Sequence, residues 1–262
     1  MKILFDTSRL AAPILSAVLG GGMACAVAEE PAPLPPPSAT EVWRPVPPLV
    51  TALPGEVPSD ATVLFDGRNL DAWEPVNPGS QGWRLDHGAM VVVPDAGNIR
   101  TKQAFGDIQL HLEYREPSPA HGSGQLRGNS GVFFMGLYEL QIMDSYHNDT
   151  YVNGQAGSMY KQHAPLVNAC RPPGVWQTYD AAFIAPRFGP GGLLLKPARV
   201  TVFHNGVLVQ YDVRLNGPTL HQGYPQYIPT PAKLPLQLQE HHGDQVAFRN
   251  IWVREIKLPS LP

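Results

Sequence analysis

From Asp107 to Glu116 apolar and polar residues alternate without a break. Ile108, Leu110, Leu112 and Tyr114 fall on one side, and Gln109, His111, Glu113 and Arg115 on the other. A period of two puts successive side chains on opposite faces of an extended chain, so the segment reads as a half-buried antiparallel strand. No stretch sustains a helical stripe beyond a turn or two. Further strands are expected at Ala61–Phe65, Gly88–Val93, Gly131–Phe134, Tyr138–Met143, Thr178–Ile184, Arg199–Phe203, Val207–Tyr211, Leu236–Gln239 and Val246–Ile256. His204-Asn205-Gly206 marks a tight hairpin, because Asn-Gly tolerates the positive φ angles of a type I′ turn. Many strands, Gly/Pro turns and no βαβ alternation predict an all-β sandwich or jelly roll.

The N-terminal segment has a different character. Lys2 and Arg9 precede the apolar run Leu10–Leu19, and Ala26-Val27-Ala28 supplies a small-x-small cleavage site before Glu29. That order predicts a secretory signal peptide over residues 1–28 and an exported protein, periplasmic or secreted. The apolar run is shorter than the roughly 20 residues that span a bilayer. Cys25 is a possible lipidation site, although the aliphatic residue expected three positions upstream is missing. Residues 29–58 contain the proline runs Pro31–Pro37 and Pro45–Pro48, which favour extended geometry and cannot pack a core, so they read as a linker. The folded domain is expected over residues 59–258, about 200 residues in one sandwich.

With 19 basic against 22 acidic residues the net charge is −3, and no basic excess exists to hold nucleic acid. No segment after the leader is apolar enough to predict a transmembrane span. After cleavage Cys170 is the one cysteine left, which excludes an intrachain disulfide; a small buried side chain is expected there rather than a catalytic thiol.

Several strings carry more than class-level information. Leu64-Phe65-Asp66-Gly67-Arg68-Asn69-Leu70-Asp71-Ala72-Trp73 opens the domain, and Arg127-Gly128-Asn129-Ser130-Gly131-Val132-Phe133-Phe134 precedes Tyr138-Glu139-Leu140-Gln141-Ile142-Met143-Asp144. Gly157-Ser158-Met159-Tyr160, Val175-Trp176-Gln177, Val202-Phe203-His204-Asn205-Gly206-Val207 and Phe248-Arg249-Asn250-Ile251-Trp252-Val253 follow in order. The ordered set resembles the 3-keto-disaccharide hydrolase family over about residues 61–257. The resemblance implies a concanavalin-A-like jelly-roll β-sandwich whose concave sheet binds sugar. It also implies action on 3-keto-glycosides, either as a lyase across carbons 1 and 2 or as a hydratase of the 2-hydroxyglucal product. No cofactor is expected beyond a possible single divalent cation, for which His241-His242 alone is weak ligand evidence.

Such a reaction needs a base for the acidified carbon 2 hydrogen, a stabiliser for the enolate and a proton donor for the leaving oxygen. Glu139 is the first choice for the base: on Tyr138–Met143 it shares a face with Gln141, opposite Tyr138, Leu140 and Ile142. Its alternative is a solvated outer-face carboxylate. Asp144 is a second catalytic choice, or a turn residue capping the loop, and its odd spacing from Glu139 puts it on the other face of a regular strand. In Gln239-Glu240-His241-His242-Gly243-Asp244, strand alternation lets one histidine enter a cleft. The family usually shows Leu-Gln-Asp-His-Gly here, and this chain carries one extra residue with Glu for Asp, which leaves open whether His241 or His242 is the equivalent; adjacency to Gly243 favours His242 as catalytic, with Gln239 and His241 lining the substrate site. Arg249 and Arg127 are the choices for holding an enolate or a ring hydroxyl, against a structural ion pair for Arg249. Tyr160, Lys161 and Trp176 are expected around the sugar, Trp176 as a stacking platform or else as core.

Two other functions stay open from the residues: a non-catalytic carbohydrate-binding module on a proline-rich stalk, and a conventional glycoside hydrolase. The latter sets two carboxylates on one face about 5 Å apart for retention. No Glu-x-Asp-x-x-Glu string is present to do so.

Overall fold

The structure is a computed structural model that describes residues 34–258. The expected signal peptide over 1–28, Cys25 and the first residues of the linker lie outside the described residues. Residues 34–48 form a unit of their own, with a single 3-10 turn at Pro37–Thr40 and the Trp43 indole donating to Glu41 Oε2 at 3.2 Å. No α-helix occurs among the described residues, and none is long and apolar enough to cross a membrane.

The described residues hold fifteen strands, all paired antiparallel. The first seven are β1 (Thr62–Phe65), β2 (Trp73–Pro75), β3 (Arg84–Asp86), β4 (Ala89–Val91), β5 (Ile99–Phe105), β6 (Ile108–Arg115) and β7 (Ser130–Phe134). They are followed by β8 (Tyr138–Ile142), β9 (Gln177–Ile184), β10 (Arg187–Phe188), β11 (Leu194–Lys196) and β12 (Arg199–His204). The last three are β13 (Val207–Arg214), β14 (Leu234–Leu238) and β15 (Ala247–Glu255). The larger sheet runs β13-β12-β9-β6-β15-β4-β3, with β1 also on β15; the smaller runs β2-β5-β14-β7-β8, and β10 pairs with β11 as a separate ribbon. The chain changes sheet repeatedly, as from β4 to β5, β5 to β6, β8 to β9, β13 to β14 and β14 to β15, which makes it an all-β jelly-roll sandwich.

The alternation read from β6 matches its burial, with Ile108, Leu110, Leu112 and Tyr114 inside. They meet the inner faces of β7, β8 and β14, where Phe134 stacks on Phe183 of β9 with ring centroids 4.7 Å apart. The Tyr179 hydroxyl of β9 reaches across the sandwich and donates to the Gln141 carbonyl at 2.7 Å. The hairpin between β12 and β13 turns at Asn205 (φ 53°) and Gly206 (φ 79°), as the Asn-Gly signal required.

β5 was not expected from the sequence. Arg100, Lys102 and Gln103 break its apolar pattern, although it is central in the smaller sheet between β2 and β14. Its neighbour β14 carries Pro235, which has no N–H for the ladder. The register shifts there, and the following N–H of Leu236 is taken by the Thr101 hydroxyl at 3.0 Å. That hydroxyl in turn donates to the Gln103 carbonyl at 2.6 Å. A side chain replaces a missing ladder bond, a contact that no periodicity in either strand shows.

Phe183 is fully buried at the middle of the inter-sheet core. Phe183→Ala is expected to cost about 3–5 kcal/mol, read as a lowered urea midpoint with an unchanged slope.

Candidate functional site

The outer face of the smaller sheet carries a cleft of about 200 Å³ lined by Gln125, Asn129, Phe133, Glu139, Gln141, Tyr160, Thr219, His221, Gln239 and His241. Its floor is built on β8. Tyr138, Leu140 and Ile142 point into the core, so alternation sends Glu139 and Gln141 outward. They do not reach solvent: Glu139 is 5% exposed and Gln141 1%. The free edge of β8 is covered by the Gly157–Tyr160 loop, through Gly157 N to Gln141 O at 3.1 Å and Tyr160 N to Glu139 O at 3.1 Å. On the same edge Thr219 Oγ1 accepts the Glu139 N–H at 2.9 Å. On β7, Gly131 leaves the space for the carboxyl, since a Cβ there would lie 2.8 Å from Glu139 Oε1.

Among the described residues no arginine or lysine lines this cleft. Burial without a counter-charge pushes the Glu139 carboxyl up to about 8. Burial, followed by the neighbouring His242, pulls His241 below the ordinary imidazole value. Burial also raises Tyr160, whose hydroxyl is 2.6 Å from that of Tyr151. Two buried polar atoms of the cleft, Gln239 Oε1 and His241 Nδ1, have no partner. Natural proteins pair almost all such atoms, so these two mark where a polar ligand would complete the site.

The structure places the histidines differently from the expectation. β14 stops at Leu238, and His241–Asp244 is a turn, closed by Asp244 N to His241 O at 3.0 Å with His242 and Gly243 at φ 48° and 82°. The turn is anchored by Asn129 N to Asp244 Oδ2 at 2.9 Å and by Gly243 N to Glu240 Oε1 at 2.7 Å. His241 therefore enters the Glu139 cleft. His242 lines a separate groove of about 630 Å³, with Arg84, Arg115, Glu116, His121 and Asp244 among its walls. Turn geometry, rather than strand alternation, divides the pair.

Gln141, Tyr160, Gln239 and His241 line the cleft together with Glu139. Lys161 is at the rim, its Nζ donating to the His221 carbonyl at 2.6 Å and lying 5.5 Å from the ring centres of Tyr151 and Tyr160. Asp144 and Arg127 do not join the cleft. Asp144 is buried beyond the end of β8, where its Oδ2 takes the Arg127 Nε–H at 2.7 Å and its Oδ1 caps Tyr146 N at 3.1 Å. Arg127 also donates to the Tyr146 and His147 carbonyls. Arg249 and Trp176 are on the outer face of the larger sheet, because Phe248 faces the core and its neighbour must face out. There Arg249 Nε pairs with Glu113 Oε2 at 2.6 Å, and the guanidinium lies 4.1 Å over the Trp176 ring. Arg115 covers the same ring at 4.7 Å.

The sequence reading did not single out Gln125, Asn129, Phe133, Thr219 or His221 as site residues. Thr219 and His221 come from the long loop between β13 and β14, whose length without secondary structure is itself a pointer to function. Cys170 is inert: burial pushes its thiol up to about 12. Among the described residues no group of three or more His, Cys, Asp or Glu is arranged to hold a metal ion.

Replacing Arg249 by Ala removes a half-exposed ion pair and a cation–π contact, worth about 1 kcal/mol together. The variant is expected to melt slightly earlier and to keep its turnover at matched folded fraction; a large loss of turnover would return Arg249 to the site.

The chain matches the model of the 3-keto-alpha-glucoside-1,2-lyase-like domain over residues 60–254. Among solved structures it is similar to a candidate glycosyl hydrolase from Parabacteroides distasonis ATCC 8503, at 44% identity and TM-score 0.80 over 84% of this chain and 97% of that one. A second structure of the same kind from that organism shares 18% identity, with TM-score 0.55 over 76% and 94% of the two chains, and shows the fold alone. No curated protein matches the chain. The match covers most of the chain and all fifteen strands but the last residue of β15, and the chain belongs to the family of 3-keto-alpha-glucoside-1,2-lyase-like domains, carbohydrate-processing enzymes.

Proposed function

We propose that this protein cleaves 3-keto-glycosides by elimination across carbons 1 and 2, followed by hydration of the 2-hydroxyglucal, and that it does so after export. The observation that carries the reading is the opposite displacement of two titratable groups in one cation-free cleft. Glu139 is held toward its acid form and His241 toward its neutral form. Groups pushed apart in this way sort themselves into acid and base. The roles are therefore the reverse of those expected from the residues alone.

Neutral His241 takes the carbon 2 proton, and the C–H electron pair becomes the enolate of the carbon 3 ketone. The enolate expels the oxygen on carbon 1, which receives the Glu139 proton. In hydration the Glu139 carboxylate takes a proton from the water that attacks carbon 1, and the His241 imidazolium returns its proton to carbon 2. The sum is hydrolysis. Tyr160, which keeps its proton by burial, is the donor available for the carbon 3 oxygen. A cleft of about 200 Å³ is below the usual range for drug-sized ligands, which fits one terminal sugar ring rather than a chain.

Aglycone is expected to leave a 3-keto-glycoside much faster than its unoxidised parent, because only the ketone acidifies the carbon 2 hydrogen. Equal rates would favour a direct glycosidase, and binding without turnover of either sugar a non-catalytic module. Glu139→Gln and His241→Ala should each lower the rate by about 10²–10⁴, whereas His242→Ala should change it little.

The pH dependence tests the assignment of roles. An acid is lost as pH rises through its folded value, so kcat/KM should fall through about 8 as Glu139 ionises. A base is lost on protonation, so the other limb should fall on the acid side of the ordinary imidazole value as His241 takes a proton. A profile that instead rises through pH 8 would make Glu139 the base.

A further inference from the structure

The side chains behind Glu139 form a directed chain of amides. Gln125 Nε2 donates to the Gly154 carbonyl at 2.9 Å and to Thr150 Oγ1 at 3.0 Å, and Gln125 Oε1 accepts from Gln141 Nε2 at 3.1 Å. Gln141 Nε2 also lies 3.3 Å from the Gly154 carbonyl. The Gln141 oxygen then faces Glu139 Oε1 at 3.1 Å and the Ser130 carbonyl at 3.2 Å. Two oxygens at hydrogen-bond distance repel unless one of them carries a proton.

Amide orientations are assigned from their surroundings, so the alternatives have to be weighed. Turning Gln141 over lets its N–H₂ donate to Glu139 and Ser130. It also sets the Gln141 oxygen against Gln125 Oε1 and the Gly154 carbonyl, at the distances its nitrogen now has. Turning Gln125 as well moves the conflict to that residue's oxygen, 2.9 Å from the same carbonyl. A backbone carbonyl cannot donate and cannot turn. The orientation anchored on Gly154 leaves one oxygen–oxygen conflict, with Ser130, provided that Glu139 supplies a proton at Oε1.

We propose that Gln125 and Gln141, anchored on the Gly154 carbonyl, are positioning residues that fix the proton of Glu139 on Oε1, so that the free cleft presents a neutral carboxylic acid. This deepens the acid role of Glu139 and rests on that reading only for its kinetic consequence. The other groups facing the carboxyl do not oppose it. Tyr160 comes from the loop over the β8 edge, His221 from the loop before β14 and His241 from the turn after it. Lys161 is at the rim with its ammonium turned to the His221 carbonyl. Burial acts in the same direction as the amides.

The experiment is infrared difference spectroscopy and ¹³C NMR of the full domain labelled at glutamate Cδ, with Glu139→Gln to identify the signal. At pH 7 wild type should show a protonated carboxyl band that is missing in Glu139→Gln, and the Glu139 signal should titrate near 8. Gln125→Met leaves every cleft carboxyl in place but frees Gln141 to turn and donate to the carboxylate. Its Glu139 midpoint should drop by about one unit, a tenfold change in proton affinity. A wild-type midpoint in the ordinary carboxylate range, or an unmoved midpoint in a folded Gln125→Met, overturns the proposal. If that variant does not fold, the wild-type band and midpoint still decide. Failure to turn over a 3-keto-glycoside would count against the proposed reaction and leave these spectra as they are, so the two can fail separately.

Discussion

The cleft depends on β8 being buried on both faces. Its inward side chains, Tyr138, Leu140 and Ile142, are held in the inter-sheet core, which leaves Glu139 and Gln141 no freedom to turn away. As the edge strand of the smaller sheet, β8 would otherwise expose a row of unpaired backbone groups. The Gly157–Tyr160 loop pairs with that edge and so excludes water from it. The same cover brings Tyr160 over Glu139. Closing a sheet edge and building a dry site are here one structural act.

Dryness has an electrostatic consequence. A carboxyl without cation or carboxylate hydrogen bonds is stable only as the neutral acid. Its folded value is raised above the unfolded one, so between the ordinary carboxylate range and about 8 the folded state binds more protons than the unfolded state. Stability from this group therefore falls as pH rises through that window and is unaffected below it. Glu116, behind the larger groove, is raised to about 8 by burial as well, but both of its oxygens accept the Gln177 amide at 2.7 Å. Glu139 has no such support, which is why it is the group free to act on a ligand. Catalytic groups are commonly held at this kind of cost to stability.

The larger sheet makes a contrast. Its outer face is polar too, but there the charges are paired: Arg249 with Glu113, and Arg254 with Asp60 at 2.6 Å. His111 Nδ1 meets Asp180 Oδ1 at 2.7 Å and its ring stacks on Trp252. Satisfied ion pairs at a half-wetted surface tie strands together and leave little to offer a substrate. On the smaller sheet Arg100 and Glu74 pair at 2.9 Å away from the cleft, whereas within the cleft Glu139 has no charged partner and Gln239 Oε1 and His241 Nδ1 have no hydrogen-bond partner.

Local sequence determined the β class, the face of β6 that packs inward, the Asn205-Gly206 hairpin and the sharing of one face by Glu139 and Gln141. Each follows from a period of two or from the φ preferences of one or two residues, and such information lies within a few positions of chain. The ordered motifs also located the family. Tertiary structure alone decided which face of β8 would be dry, that His241 and not His242 joins Glu139, and that Arg127 and Arg249 are spent on ion pairs elsewhere. It also brought in Gln125, Thr219 and His221 from distant loops. These outcomes depend on a turn, on partners more than 100 positions apart such as Asn129 with Asp244, and on desolvation by segments that cover the strand. Periodicity records which way a side chain points; only the assembled sandwich determines what it meets there, and hence whether it keeps its proton.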